Sequence, residues 1–95
     1  MEIKHYTSYV KDIKKLKPNI KKIAQDIETE LNKLEFENLT KHPKIILMVG
    51  NSNAGRYKFG DWRLGFYIEL IDGTHYLILS RFLHRKDIYK YFPVI

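Results

Sequence analysis

Ninety-five residues, 44% of them hydrophobic and 14% aromatic, with no cysteine, make a single domain with one small core and exclude disulfides, zinc-thiolate sites and thiol nucleophiles. The longest uninterrupted apolar run, Ile45 to Val49, is too short to span a bilayer, and Met1 to His5 lacks the apolar stretch of a signal peptide, so a soluble, cytoplasmic protein is expected. Seventeen Lys and Arg against eleven Asp and Glu give a formal charge of +6, which favours anionic partners such as nucleic acid or an acidic protein.

Glu2 to Tyr6 reads as a short strand, after which Thr7 or Ser8 offers a side-chain oxygen to cap a helix with apolar positions Val10, Ile13 and Leu16. Pro18 ends that helix and suits an early position of a second one, in which Ile20, Ile23, Ala24, Ile27, Leu31 and Leu34 recur at helical spacing. The two form an antiparallel hairpin. Lys14, Lys15, Lys17, Lys21 and Lys22 read as a solvated helix face, and Lys22, Asp26, Glu28 and Lys33 as a mixed-charge surface opposite the apolar stripe. Residues 35–43 are polar and aperiodic. Ile45 to Val49 reads as a buried strand or a packed lead into a sheet, and residues 50–55 as a connector whose glycine pair lacks the spacing of a phosphate-binding loop.

Beyond Gly55 the period becomes two. Tyr57 and Phe59 alternate with Arg56 and Lys58, and Gly60-Asp61 turns the chain into Trp62, Leu64, Phe66, Ile68 and Leu70. Alternation sends Arg63 away from Trp62 and Leu64, so strand pairing brings it near Arg56 and Lys58 and makes one sheet face cationic. Asp72-Gly73 signals a second tight turn into a strand over Tyr76 to Leu83, whose Arg81 either extends the basic face or pairs with Glu69. Asp87 to Phe92 suits one or two helical turns ended by Pro93. The expected fold is α+β: a short strand, a helical hairpin, a curved antiparallel sheet of three to four strands and a short C-terminal helix, all within residues 1–95.

All four arginines lie in the second part of the chain, at positions 56, 63, 81 and 85. Their planar forks match phosphate oxygens, whereas a helix-surface lysine is a hydrated point charge, so this part is the better candidate site. The run His84-Arg85-Lys86-Asp87-Ile88-Tyr89 adds titratable and phenolic groups at a strand end. Histidine titrates near neutrality as a residue type, which makes His84 a candidate for proton transfer, with Lys58 as the alternative and a structural role for His84 equally open. Asp87 reads as a cap or first-turn acid, or as a group that orients His84 or Arg85. Trp62 reads as core. His5, His42 and His75 stand apart without metal-ligand spacing, so neither metal nor cofactor is expected.

The segment Arg56-Tyr57-Lys58-Phe59-Gly60-Asp61-Trp62-Arg63 resembles the central hairpin of the RelE/ParE toxin superfamily, and His84 to Tyr89 resembles the C-terminal signature of its RelE-like branch. The resemblance covers nearly the whole chain. Trp62 replaces the tyrosine usual at the hairpin, and Ile45 to Val49 is less charged than the segment common there. The resemblance implies a type II toxin that cuts messenger RNA on the ribosome by attack of a 2′-hydroxyl on the adjacent phosphorus, leaving a cyclic phosphate and a free 5′-hydroxyl. It implies catalytic roles for Lys58, Arg63, His84, Arg85 and Tyr89, with Arg63 and Arg85 clamping the phosphate, and RNA contacts from Arg56, Lys58, Arg81 and Lys86. It also implies a short acidic antitoxin that folds over the basic domain. Two other readings stay open. The gyrase-poisoning ParE branch shares the fold but as a rule lacks the His-Arg-x-Asp-x-Tyr signature, and a non-catalytic basic module would bind RNA or protein without proton transfer.

Overall fold

The computed structural model describes residues 1–48, 50 and 53–93, so Val49 of the apolar run and Asn51 and Ser52 of the expected connector lie outside the described residues. Strand β1 (Glu2–His5) leads into helices α1 (Thr7–Lys14) and α2 (Pro18–Lys33), and a 3-10 turn over Phe36–Lys41 orders part of the polar stretch. Strands β2 (Ile45–Leu47), β3 (Ala54–Phe59), β4 (Trp62–Ile71) and β5 (Thr74–His84) follow, then the single-turn helix α3 (Ile88–Tyr91).

The sheet holds five strands in the order β1-β5-β4-β3-β2: the expected antiparallel strands, four in number, and the short first strand added at their edge. The helical hairpin carries the chain back across the sheet, so β1 joins parallel to β5, with Ile3 opposite Leu77, while β2 joins antiparallel to β3. Both short turns follow their sequence signals: Gly60 takes φ 54° between β3 and β4, and Asp72 and Gly73 take φ 49° and 79° between β4 and β5, the positive pair that a two-residue hairpin loop prefers.

The main core lies between the helices and one sheet face. Ala24, Ile27 and Leu31 of α2 meet Tyr57, Leu64, Phe66, Leu77, Leu79 and Phe82, the stripe that the helical spacing predicts. Trp62 packs against this core and stacks on Phe82 with ring centroids 5.5 Å apart. Helix α1 departs from expectation: Val10 is exposed and Tyr9 buried, because α1 runs along an edge of β5. Strand β1 accompanies β5 only as far as His5 opposite Leu79. From there Tyr6 N–H donates to Leu79 O (2.9 Å), Ser8 Oγ to Ser80 O (2.7 Å) and Phe82 N–H to Asp12 Oδ2 (3.0 Å). Ser8 thus binds the strand edge, and no side chain caps α1. Helical side chains satisfy backbone groups that an open edge would leave unpaired.

Residue Ser80 is an extra residue on β5. Phe66 faces Leu79 but Gly65 faces Arg81, so the bulge inverts the alternation of the strand. Leu77 and Leu79 point into the main core before it and Phe82 after it, which turns Arg81 and Leu83 toward the opposite face. Arg81 therefore lies across from Gly65, while Glu69 lies across from Tyr76, and the two cannot make the cross-strand pair considered above.

Candidate functional site

Helix α3 covers the sheet face opposite the helical hairpin. Its Ile88 and its C-terminal neighbour Phe92, four residues apart, are buried with Ala54 against Met48, Tyr67 and Leu83. The Phe92 ring rests on Gly65, where a Cβ atom would lie 2.6 Å from Phe92 Cγ. Glycine inside a ten-residue strand is explained by this close approach.

Gly65 is the middle of a cross-strand row, since Arg56 on β3 and Arg81 on β5 are its register partners. Residues 89 and 91 leave the short helix on opposite flanks. The Arg56 guanidinium carbon lies 4.7 Å from the Tyr89 ring centroid, and that of Arg81 lies 4.9 Å from the Tyr91 centroid. Helix α3 thus straddles β4, with a tyrosine over an arginine on each side.

The two arginines differ in charge compensation. Arg81 donates from Nε to Asp12 Oδ2 (2.8 Å) and from Nη2 to Asp12 Oδ1 (3.0 Å), and this carboxylate is 5% exposed. Phe82 N–H occupies it as well, so the carboxylate is held from two directions. Arg56 has no such acid: its Nε and Nη1 are buried without a hydrogen-bond partner among the described residues. Buried guanidinium nitrogens are nearly always bonded, so these two call for an acceptor from outside the described residues, such as water or an anion. Tyr89, 64% exposed, leaves the outer face of its ring open for stacking.

The other expected site residues divide by strand parity. Lys58 lies two residues along β3 from Arg56, exposed and directly opposite Arg63, one row or roughly 7 Å away. Arg63 is buried, and its Nη1 donates to Gly60 O (2.7 Å) and Trp62 O (2.8 Å), bracing the β3–β4 turn. Arg85 continues past β5 beside that turn: its N–H donates to Asp61 O (2.7 Å), and its exposed guanidinium lies 3.5 Å from the Asp61 carboxylate. Lys86 is exposed on the segment leading to α3. His84 pairs with Trp62 and meets its ring edge-on at 5.8 Å, on the parity opposite to Arg56, Lys58 and Arg63. Its Nδ1 accepts from Lys86 N–H (3.2 Å), and it lines a cleft of about 420 Å³ with Asp12, Lys15, Asp87 and Tyr91. Asp87 sits at the N-cap position of α3 without a side-chain capping bond, 4.0 Å from the Lys90 ammonium. The structure thus gathers Arg56, Lys58, Arg63 and Tyr89 around one face, with Arg85 at its end, and sets His84 apart.

Sequence reasoning missed Asp12, Gly65 and Tyr91. Gly65 carries a usable signal, a glycine inside an apolar strand run. Asp12 and Tyr91 carry little, because nothing local marks one acid among lysines or the second of two tyrosines as special.

The perturbed tyrosines belong to the helical side. Burial, then the hydrogen bond to Glu30 Oε2 (3.0 Å) and that group's charge, push Tyr57 up to about 12. Burial and then the Glu28 charge push Tyr9 up. Glu30 also meets His42, Glu28 meets His5 at 2.6 Å, and His75 stacks on Phe36 at 3.7 Å. Among the described residues no three His, Cys, Asp or Glu side chains gather as a metal set, and no helix is long and apolar enough to cross a membrane.

The architecture has solved counterparts. A chain of the crystal structure of the RelB–RelE antitoxin–toxin complex from Methanococcus jannaschii matches with a TM-score of 0.66 and 32% identity, over 95% of this chain and 99% of that one. A chain of the toxin–antitoxin complex RelBE2 from Mycobacterium tuberculosis shares the fold, with a TM-score of 0.62 and 22% identity over 88% and 96% of the two chains. These define a small toxin domain of the RelE type. In sequence, Toxin RelE3 of Methanocaldococcus jannaschii is 36% identical over 94 residues, 98% of this chain and 100% of that protein. No family model matches. The chain belongs to the RelE family and is the toxin of a RelE-type toxin–antitoxin system.

Proposed function

We propose that this toxin is an endoribonuclease that cuts messenger RNA on the ribosome and so stops translation. The observation that carries this reading is the half-buried guanidinium of Arg56, whose buried Nε and Nη1 are unpaired among the described residues and roofed by an exposed tyrosine. A phosphodiester supplies the missing acceptors, and a base stacks on the free face of Tyr89. The 2′-oxygen attacks the adjacent phosphorus and the P–O5′ bond breaks, leaving a cyclic phosphate and a 5′-hydroxyl. The 2′-hydroxyl loses its proton and the departing 5′-oxygen gains one. Arg56 stabilises charge on the pentacovalent phosphorus, a contribution of roughly 3 kcal/mol for a donor of this kind.

Lys58 shares that face and is the better placed of the two candidates for proton transfer, because strand parity directs His84 elsewhere. Arg63 acts through the turn it braces, and Arg85 and Lys86 extend the cationic surface along which the strand runs. A cognate acidic antitoxin is the partner that silences this face. The presence of RelB beside RelE in the related complex supports that reading.

The test adds purified toxin to a translation extract and maps messenger 5′ ends with and without ribosomes. Ribosome-dependent cuts that Arg56→Ala abolishes are expected. Intact messenger at high toxin concentration, or inhibited gyrase supercoiling in its place, overturns the reading.

A further inference from the structure

We infer that Asp12, Arg81 and Tyr91 are positioning residues: Asp12 withdraws Arg81 from RNA and commits it to Tyr91, and this anchor holds α3 so that Tyr89 lies over Arg56. The inference rests on the proposed RNA-cleaving role of Arg56 and adds three residues that touch no substrate.

The geometry of the row supports it. Arg56, Gly65 and Arg81 are in register, and Tyr89, Phe92 and Tyr91 stand above them in that order. A helix of four residues has little stability of its own, so its placement depends on tertiary contacts. Ile88 and Phe92 press it onto β4, but contacts near the helix axis resist rolling poorly. The two tyrosine–arginine stacks lie on either flank, where they oppose rotation. Of the two flanks, the Arg56 stack is the one whose cation must take up phosphate. The Arg81 stack can stay closed because its cation already has a carboxylate, held in turn by Phe82 N–H on the β5 edge. Arg81 keeps a side-chain exposure of 22%, so without Asp12 it would present a second free cation in the same row.

Three variants test this. Tyr91 is half exposed, so Tyr91→Leu removes the ring with little risk to the fold. Amide hydrogen exchange reads α3 directly through Lys90 N–H, bonded to Asp87 O, and Phe92 N–H, bonded to Ile88 O. Tyr91→Leu is expected to speed exchange at these two amides by about 2- to 5-fold, the range of one exposed cation–π contact, and Tyr91→Phe to restore it. Cleavage turnover is expected to fall in Tyr91→Leu, with KM changed less than kcat, and to recover in Tyr91→Phe. Asp12→Asn keeps an oxygen for Phe82 N–H and frees Arg81. It is expected to steepen the salt dependence of single-stranded RNA binding by up to about 0.7 in the log–log slope while lowering turnover.

Unchanged exchange in Tyr91→Leu overturns the anchor, whatever the protein does to RNA. Faster exchange with unchanged turnover overturns the positioning of Tyr89. If the parent toxin cuts no RNA, the proposed function fails, while the exchange measurement still decides whether Tyr91 and Arg81 hold α3.

Discussion

Arg56 and Arg81 occupy one row, each beneath a tyrosine of the same helical turn, and they are electrostatic opposites. Arg81 is neutralised by a carboxylate 69 residues away in sequence, whereas Arg56 keeps buried donors without a partner among the described residues. The same local pair is therefore charge-compensated on β5, where we infer a fastening, and uncompensated among the described residues on β3, where we propose a binding group. The difference lies in the counter-ion that α1 brings to Arg81.

Exchange of each arginine for methionine separates the two most strongly. Arg81→Met strands the buried Asp12 carboxylate and is expected to cost about 3 kcal/mol in a urea titration. Arg56→Met removes a cation that is unpaired among the described residues, and is expected to leave stability unchanged or raise it by about 1 kcal/mol while cleavage drops about 100-fold. Equal losses of stability would erase the distinction.

The glycine between the two stacks comes next. Gly65→Ala drives a methyl group into the Phe92 ring, an overpacking expected to cost about 2 kcal/mol and to lower Tm by roughly 10 °C. A full Tm in the alanine variant would mean that α3 is not seated on β4. Smaller still, Tyr89→Leu is expected to weaken single-stranded RNA binding about 10-fold, with Tyr89→Phe close to the parent protein, since stacking needs the ring alone. If phenylalanine fails as badly as leucine, the phenol takes part directly.

The far side of the sheet supplies a control. The raised titration of Tyr57 means that the folded state holds its proton to about 12 while the unfolded chain releases it near 10. Its stability contribution is complete below pH 10 and is lost as pH rises toward 12. Tyr57→Phe is expected to flatten urea stability over that interval without altering α3 exchange. Any change at α3 would couple the two faces.

How much of this was readable in the chain depends on distance along it. Arg56, Lys58 and Arg63 fall on one face because a two-residue turn fixes the β3–β4 register, and alternation does the rest. His84 and Arg85 look like one cluster in a string of letters, yet β5 ends at His84, which pairs with Trp62 on the core-facing parity, while Arg85 lies past the strand end beside Asp61. The Asp12–Arg81 contact was out of reach. It depends on where β1 stops and on the bulge at Ser80, and neither has a sequence signature.

The helix lying along the β5 edge also has a kinetic consequence. Strands β3, β4 and β5 join through tight turns, so their pairing closes short loops, whereas the Ser8–Ser80 and Asp12–Arg81 contacts close separations of 72 and 69 residues. Loop-closure entropy therefore favours the meander as an early structure and the α1 contacts as late ones. Stopped-flow measurements are expected to show substitutions at Asp12 accelerating unfolding with little effect on the folding rate, and substitutions in the Gly60 turn slowing folding. A chain halted between those stages carries Arg81 on a formed sheet before Asp12 has arrived to neutralise it.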